Sequence, residues 1–202
     1  MTAAAQRGRG DLGTVARILD AAEALVQVRG FNGFSYADVA AHLQITKPAL
    51  HYHFAGKADL GEALINRYAS RFTDALTAID AEGGPGLGKL EGYANLYLRV
   101  LREHRMCLCG MLAAEYQTLP QPMRDAVISF FDQNESWLEA TLDQGRLDGS
   151  LKFSGDARHA ARMIISGLEG AMLIARSYGD VARFEAAAQG LLGGLALKTQ
   201  AV

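Results

Sequence analysis

Apolar residues recur along this chain at spacings of three and four, and nowhere convincingly at a spacing of two. From Thr14 onward, Val15, Ile18, Leu19, Ala22, Leu25 and Val26 mark one face of an amphipathic helix that ends at Gly30. Two short helices follow between residues 35 and 57. Ser35 suits the N-cap of the first, Asp38 can reach back to it as a capping box, and Phe34 and Val39 stand at the two positions of a hydrophobic staple. Val39, Ala40 and Leu43 point inward, Ile45 plugs the turn, and Thr46 caps the second helix. Pro48 falls in that helix's first turn, where a missing N–H donor costs nothing. Leu50 and Phe54, four apart, anchor it to a core. Lys47, Ala49, His51, Tyr52 and His53 are left facing outward. The pattern predicts a helix-turn-helix whose second helix suits a DNA major groove.

A longer helix is expected from about residue 57 to 79, on Leu60, Leu64, Ile65, Tyr68, Phe72 and Leu76. Residues 83–88 break the pattern. It resumes at about 88–104, 106–118, 122–147, 156–178 and 181–197, punctuated by Pro120, Pro122, Gly149, Gly155 and Gly179. The expected fold class is therefore all-α, with about nine helices. Residues 1–57 form an N-terminal three-helix DNA-binding domain preceded by a small, polar, basic arm over 1–11. Residues 58–202 form a helical regulatory and dimerisation domain. The segment 163–175 contains one charge, Glu169, and its apolar residues cover more than one face, so it must be buried on more than one side. The last helix carries Gly190, Gly193 and Gly194, each costing about 1 kcal/mol relative to Ala in a helix interior. Small residues also recur at Gly167, Gly170, Ala171 and Ala175. Close packing between two chains accounts for both features. It places Ile164, Leu168, Ala171, Ala175, Leu191 and Gly194 at a homodimer interface, with packing inside one bundle as the alternative.

Charge changes the picture once it is divided. The net charge of the 202 residues is −2. Residues 1–57, however, hold six Lys/Arg against four acids, leaving +2 on the first part and −4 on the rest. A basic end on an acidic body suits a protein that touches a polyanion with one end only. The N-terminus lacks the apolar core of a signal peptide, and no apolar run approaches the roughly 18 residues that span a bilayer. Two cysteines make no disulfide framework. The expectation is a cytoplasmic protein, with no membrane association and no cofactor. His51 and His53 lie two apart on a helix and point to nearly opposite sides, which argues against a shared metal. Gly83 to Lys89 imitates a phosphate loop, but Leu90 stands where the hydroxyl should be and no strand precedes it. Nothing in the chain pairs a nucleophile with a base, so no enzyme is expected.

The segment Ile18 to Tyr68 carries Ile-Leu-Asp-Ala-Ala-Glu-Ala-Leu, Gly30-Phe31, Val39-Ala40, Thr46-Lys47-Pro48-Ala49-Leu50-His51-Tyr52-His53-Phe54 and Lys57-Ala58-Asp59-Leu60. It resembles the TetR family of bacterial transcriptional regulators. The resemblance implies a homodimer that binds a palindromic operator in double-stranded DNA and usually represses. It also implies release of DNA when a small-molecule inducer enters the C-terminal domain. Two positions depart from the pattern. Gln44 stands where helix-turn-helix proteins usually place glycine, because the backbone there tends to need positive φ. His51 stands where the family commonly has tyrosine.

On this reading the DNA-facing residues are Ser35, Tyr36, Thr46, Lys47, Pro48, Ala49, His51, Tyr52, His53 and Lys57. Lys47, Ala49 and His51 lie near base edges, with Ala49 able to touch a thymine methyl. Ser35, Tyr52 and His53 suit phosphates. Lys57 opens a helix, where a cation opposes the macrodipole by about 0.3–1 kcal/mol. A phosphate there would satisfy dipole, free amides and ammonium together, and the family's matching position agrees. Arg7 and Arg9 suit either an arm along DNA or a solubilising tail. The large or polar residues expected at an inducer pocket are Tyr93, Tyr97, Met111, Glu115, Tyr116, Phe130, Trp137, Met172 and Arg176. Glu115, Glu169 and Arg176 stand out, because charge inside an apolar stretch needs a partner, which they can supply to one another. Cys107 and Cys109 lie near Arg102, His104 and Arg105, and neighbouring cations favour a reactive thiolate. The stretch from Met106 to Glu115 resembles the subgroup containing the N-ethylmaleimide reductase repressor, so a cysteine-based electrophile sensor is the alternative function. Burial as small hydrophobes is the heavier expectation for both thiols.

Overall fold

A computed structural model describes the backbone of residues 3–195 and the side chains of residues 13–195. Among these it contains nine α-helices and a short 3-10 turn. They are α1 (Ala3–Arg29), α2 (Tyr36–Leu43), α3 (Lys47–His53), α4 (Lys57–Glu82), α5 (Gly86–Arg102), α6 (Leu108–Ala114), the 3-10 turn Tyr116–Thr118, α7 (Gln121–Leu147), α8 (Ala157–Tyr178) and α9 (Val181–Gly193). None of these helices is long and apolar enough to cross a membrane.

Two boundaries differ from the sequence pattern. The segment expected as an arm is helical from Ala3 onward, continuous with α1, while the side chains of Arg7 and Arg9 lie outside the described residues. The helix expected over 106–118 is shorter. It stops at Ala114, and the chain tightens into the 3-10 turn, where Thr118 N donates to Glu115 O at 2.9 Å.

The chain divides into two compact units. The first comprises residues up to Tyr68 together with Leu108–Val127, and the second comprises Ala69–Cys107 and the chain from Ile128 onward. This differs from a cut at Lys57, because the first half of α4 belongs to the helix-turn-helix core. Leu60, Leu64 and Ile65 are buried there with Ile18, Ala22, Val26, Val39 and Leu50. Gly61 permits the close approach. A Cβ on it would lie 2.5 Å from Met123 Sδ and 2.8 Å from the Phe31 ring. Arg67 ties α4 to α1 through Asp20 at 2.8 Å and Glu23 at 2.7 Å.

In the second unit α5, α8 and α9 pack on one another. Phe72 meets Tyr93, Tyr97 and Phe130 edge-on at centroid distances of 5.9, 6.0 and 5.2 Å, a favoured aromatic geometry. Residues 83–88 form a linker and the start of α5, with Gly83 and Gly84 at φ +70 and +100°. Asp156 caps α8 by accepting from His159 N at 2.7 Å, and Gly179 ends it in the left-handed region.

Burial corrects the expected dimer face. Ile164, Leu168 and Ala175 are buried in their own unit's core. Gly167 and Leu191 are used inside the chain as well, since a Cβ on Gly167 would fall 2.8 Å from Leu191 Cδ2. Ala171 is half-buried and Gly194 is exposed. An apolar pattern on more than one face does not say which face meets the chain's own core.

Candidate DNA-binding surface and buried polar cluster

Local chemistry builds the helix-turn-helix. Asp38 Oδ2 accepts from Ser35 N at 2.7 Å and Ser35 Oγ at 2.6 Å, and these bonds hold the Asp38 carboxyl below its ordinary range. Gln44 ends α2 at φ 56° and ψ 39°, so it adopts the left-handed conformation itself. Thr46 Oγ1 then accepts from Ala49 N at 3.3 Å and opens α3. Leu50 and Phe54 are buried, as their spacing requires. Thr46, Lys47, Pro48, Ala49, His51 and Tyr52 are exposed, Tyr52 by 78%. Ser35 is exposed as well, and His53 is half-buried with Tyr52 set edge-on to it at 5.1 Å.

Several residues assigned to DNA also have partners within the chain. The Tyr36 hydroxyl donates to Phe54 O at 3.1 Å, and its ring leans on His51 at 4.7 Å. Burial, and secondarily the Asp59 charge, push its phenol up to about 12. Tyr36 thus positions α3. His51 Nδ1 lies 3.1 Å from Ala55 O; a carbonyl only accepts, so Nδ1 is the donor of this bond and Nε2 takes no part in it.

Lys57, expected at a phosphate, also has partners within the chain. Its ammonium turns inward and donates to Phe31 O and, at 2.5 Å, to Phe34 O. It sits over both phenyl rings, 4.5 and 4.3 Å from their centroids. Desolvation lowers its pKa, opposed by Glu115 and Asp38. A phosphate would have to compete with two carbonyls for this cation.

Glu115 grips the same turn from the opposite charge. Its Oε2 accepts from Phe31 N at 2.6 Å and from Asn32 N at 3.2 Å, and Asn32 Nδ2 donates to Thr118 Oγ1 at 2.7 Å. Gly30, at φ +80°, leaves room for this carboxylate. A Cβ there would be 2.6 Å from Glu115 Oε1. Glu115 therefore belongs to the first unit, as do Met111 and Tyr116, whose ring faces the Arg124 guanidinium at 5.3 Å. None of the three lies in the second unit with the other expected pocket residues.

The second unit keeps Tyr93, Tyr97, Phe130, Trp137, Met172 and Arg176. Tyr93, Tyr97, Phe130 and Met172 are buried. The two tyrosine hydroxyls are 3.0 Å apart, and burial raises both phenols far above their ordinary range. Trp137 stacks on Tyr93 at 5.8 Å and donates Nε1–H to Asp80 at 2.8 Å, which Lys89 also engages at 2.7 Å. Sequence reasoning missed this Asp80–Lys89 pair, because nothing in a periodic pattern links α4 to α5.

Cys107 and Cys109 are both buried, at 1% and 0% exposure. Of the basic residues expected to activate them, Arg102 is engaged by Glu185 at 2.7 Å and Arg105 by Glu103. Cys107 hydrogen-bonds the Glu169 carboxyl, and its backbone N–H points to Met172 Sδ at 3.2 Å. Glu169 Oε1 is sealed from solvent and has no hydrogen-bond partner among the described residues. Burial pushes this carboxyl up to about 7. The lone charge inside an apolar helix was its signal in the sequence.

A family model described as "Bacterial regulatory proteins, tetR family" matches residues 18–64, and one described as "Tetracyclin repressor-like, C-terminal domain" matches residues 86–191. The transcriptional regulator AcuR of Cereibacter sphaeroides is 26% identical over 155 residues, covering 73% of this chain and 69% of that protein. The HTH-type transcriptional repressor NemR of Escherichia coli is 25% identical over 163 residues, covering 79% of this chain and 82% of that protein. A TetR-family transcriptional regulator from Agrobacterium tumefaciens superposes with a TM-score of 0.89 at 30% identity, covering 92% of this chain and 99% of the other.

Proposed function

Because this chain belongs to the TetR family of bacterial transcriptional regulators, we propose that it is a repressor that binds a palindromic operator as a homodimer and leaves DNA when a small molecule binds its second unit. The observation that carries this reading is the surface of α3. Lys47, Pro48, Ala49, His51 and Tyr52 stand exposed over the buried Leu50 and Phe54. A short helix with a cation, a methyl and an imidazole on its open face suits base edges and phosphates together.

Dimerisation is supported by the outer face of α8. Met163, Ile174 and Tyr178 are exposed by 66, 52 and 65%, and a Cβ on Gly170 would meet nothing within 4 Å. These positions recur at helical spacing beside a groove of about 500 Å³ between α8 and α9 lined by Gly167, Gly170, Ala171 and Ala187. An apolar stripe flanked by small residues suits a second copy of α8 and α9. Two α3 helices about 34–36 Å apart would then read successive major grooves. An inducer weakens operator binding by the ratio of its affinities for the two spacings.

A mobility-shift titration with the DNA upstream of its own gene tests the reading. The wild type is expected to shift that fragment in preference to scrambled DNA, with affinity falling as salt rises. Lys47→Ala is expected to weaken binding by roughly 1–3 kcal/mol. Equal affinity for upstream and scrambled DNA would sink the repressor assignment.

A further inference from the structure

Among the described residues, Glu169 is a buried acid without a cation. It lies on α8 with a sealed Oε1 that accepts no hydrogen bond among the described residues, while the Cys107 thiol serves the same carboxyl. No cation pairs with it there. A cleft of about 330 Å³ between α7 and α8 has Glu169 in its wall, alongside Phe131, Ile165, Ser166, Glu135 and Arg162. The two charges nearer the surface are already matched, since Glu135 accepts from Arg162 at 3.0 Å and from Arg158 at 2.8 Å. A buried carboxyl without a counter-ion is costly, and a partly apolar cleft with Glu169 in its wall offers space for one.

We infer that Glu169 is the anchor of a ligand site in this cleft, and that the ligand is a small organic amine whose ammonium donates to Glu169 while its apolar body rests on Phe131 and Ile165. The inference deepens the regulator reading by naming the chemistry of the molecule that binds the second unit. Binding forms an N⁺–H···O⁻ bond to the Glu169 carboxylate, and any proton that Glu169 held passes to solvent. The buried Tyr93 and Tyr97 hydroxyls lie in the same unit and are paired with each other, so they leave the carboxyl to the ligand. An anionic ligand would bring a second negative group to an acid that has no cation of its own. A neutral alcohol would gain one hydrogen bond and no ion pair.

Calorimetric titration of the full-length protein with benzylamine, benzyl alcohol and benzoate tests the site on the wild type alone. Benzylamine is expected to bind at least roughly tenfold more tightly than benzyl alcohol, with benzoate the weakest. Glu169→Gln keeps the size and removes the charge, so in that variant amine and alcohol are expected to bind alike. A cooperative thermal melt of the variant shows that it is folded. The proposal is overturned if benzoate binds most tightly, if the amine preference survives in Glu169→Gln, or if benzylamine gives no binding by roughly 10 mM. Mobility shifts on the same preparation separate this from the regulator reading. Specific DNA binding without amine preference overturns the site alone. Amine binding without any DNA binding keeps the site and overturns the regulator.

Discussion

A carboxyl sealed in protein without a cation is disfavoured in its charged form, and Glu169 responds by holding its proton. Its folded value of about 7 stands above the ordinary 4.5. Between those two values the native state binds more protons than the unfolded chain, so stability is highest at the acid end and falls as pH rises through about 7. The full effect is on the order of 3 kcal/mol, at about 1.4 kcal/mol for each pH unit over which the extra proton is held. The lowered carboxyls of Asp38, Asp80, Glu135, Asp148 and Asp156 act in the opposite sense at lower pH. They are present in both proteins when wild type is compared with Glu169→Gln, and so cancel. Thermal melts of the two at about pH 5 and about pH 8 should therefore show the wild type losing more on the alkaline side. Parallel curves would mean that the carboxyl is not the buried proton holder described above.

At the scale of elements, the turn between α1 and α2 is held by opposite charges at its two kinds of backbone group. Glu115, just past the end of α6, takes the Phe31 and Asn32 amides, and Lys57, at the start of α4, takes the Phe31 and Phe34 carbonyls. This turn sets where Ser35 starts α2 and hence where α3 lies. Glu115→Ala leaves the part-buried Phe31 amide unpaired, which costs about 1–3 kcal/mol. For a chain of this size the expected fall in Tm is about 2–4 °C per kcal/mol. Under the proposed function, operator affinity should fall with it, while the proposed dimer is retained. A variant with unchanged Tm and unchanged hydrogen-exchange protection at Phe31 would show that the carboxylate does not hold the turn.

For the whole molecule, the proposed function needs two copies held at one spacing. The stripe Met163, Gly170, Ile174 and Tyr178 is solvent-facing in the single chain, so a charge placed there tests assembly without touching the core. Ile174→Asp is expected to fold with near-wild-type Tm yet sediment as a monomer. Losing the second half-site contact should lower operator affinity by roughly a hundredfold or more. A dimeric Ile174→Asp protein would move the interface elsewhere.

The short-range features of this protein follow from the sequence, because each depends on neighbours within one or two turns. The Ser35–Asp38 box, the Thr46 cap, the burial of Val39, Leu50 and Phe54 and the left-handed Gln44 are of this kind. So is the exposed face of α3, which is what remains once its anchors are fixed. Partners distant in sequence were decided by the tertiary structure. Glu115 is 84 residues from Phe31 and Lys57 is 26 residues from it, and helical periodicity says nothing about where a long charged side chain finds its counterpart. On α8, periodicity marked apolar positions all round, but only packing against α5 and α9 decided that Ile164, Leu168 and Ala175 fill the core and leave Met163, Ile174 and Tyr178 outside. A helix's pattern fixes which residues share a face; which surface that face meets is settled by the rest of the chain.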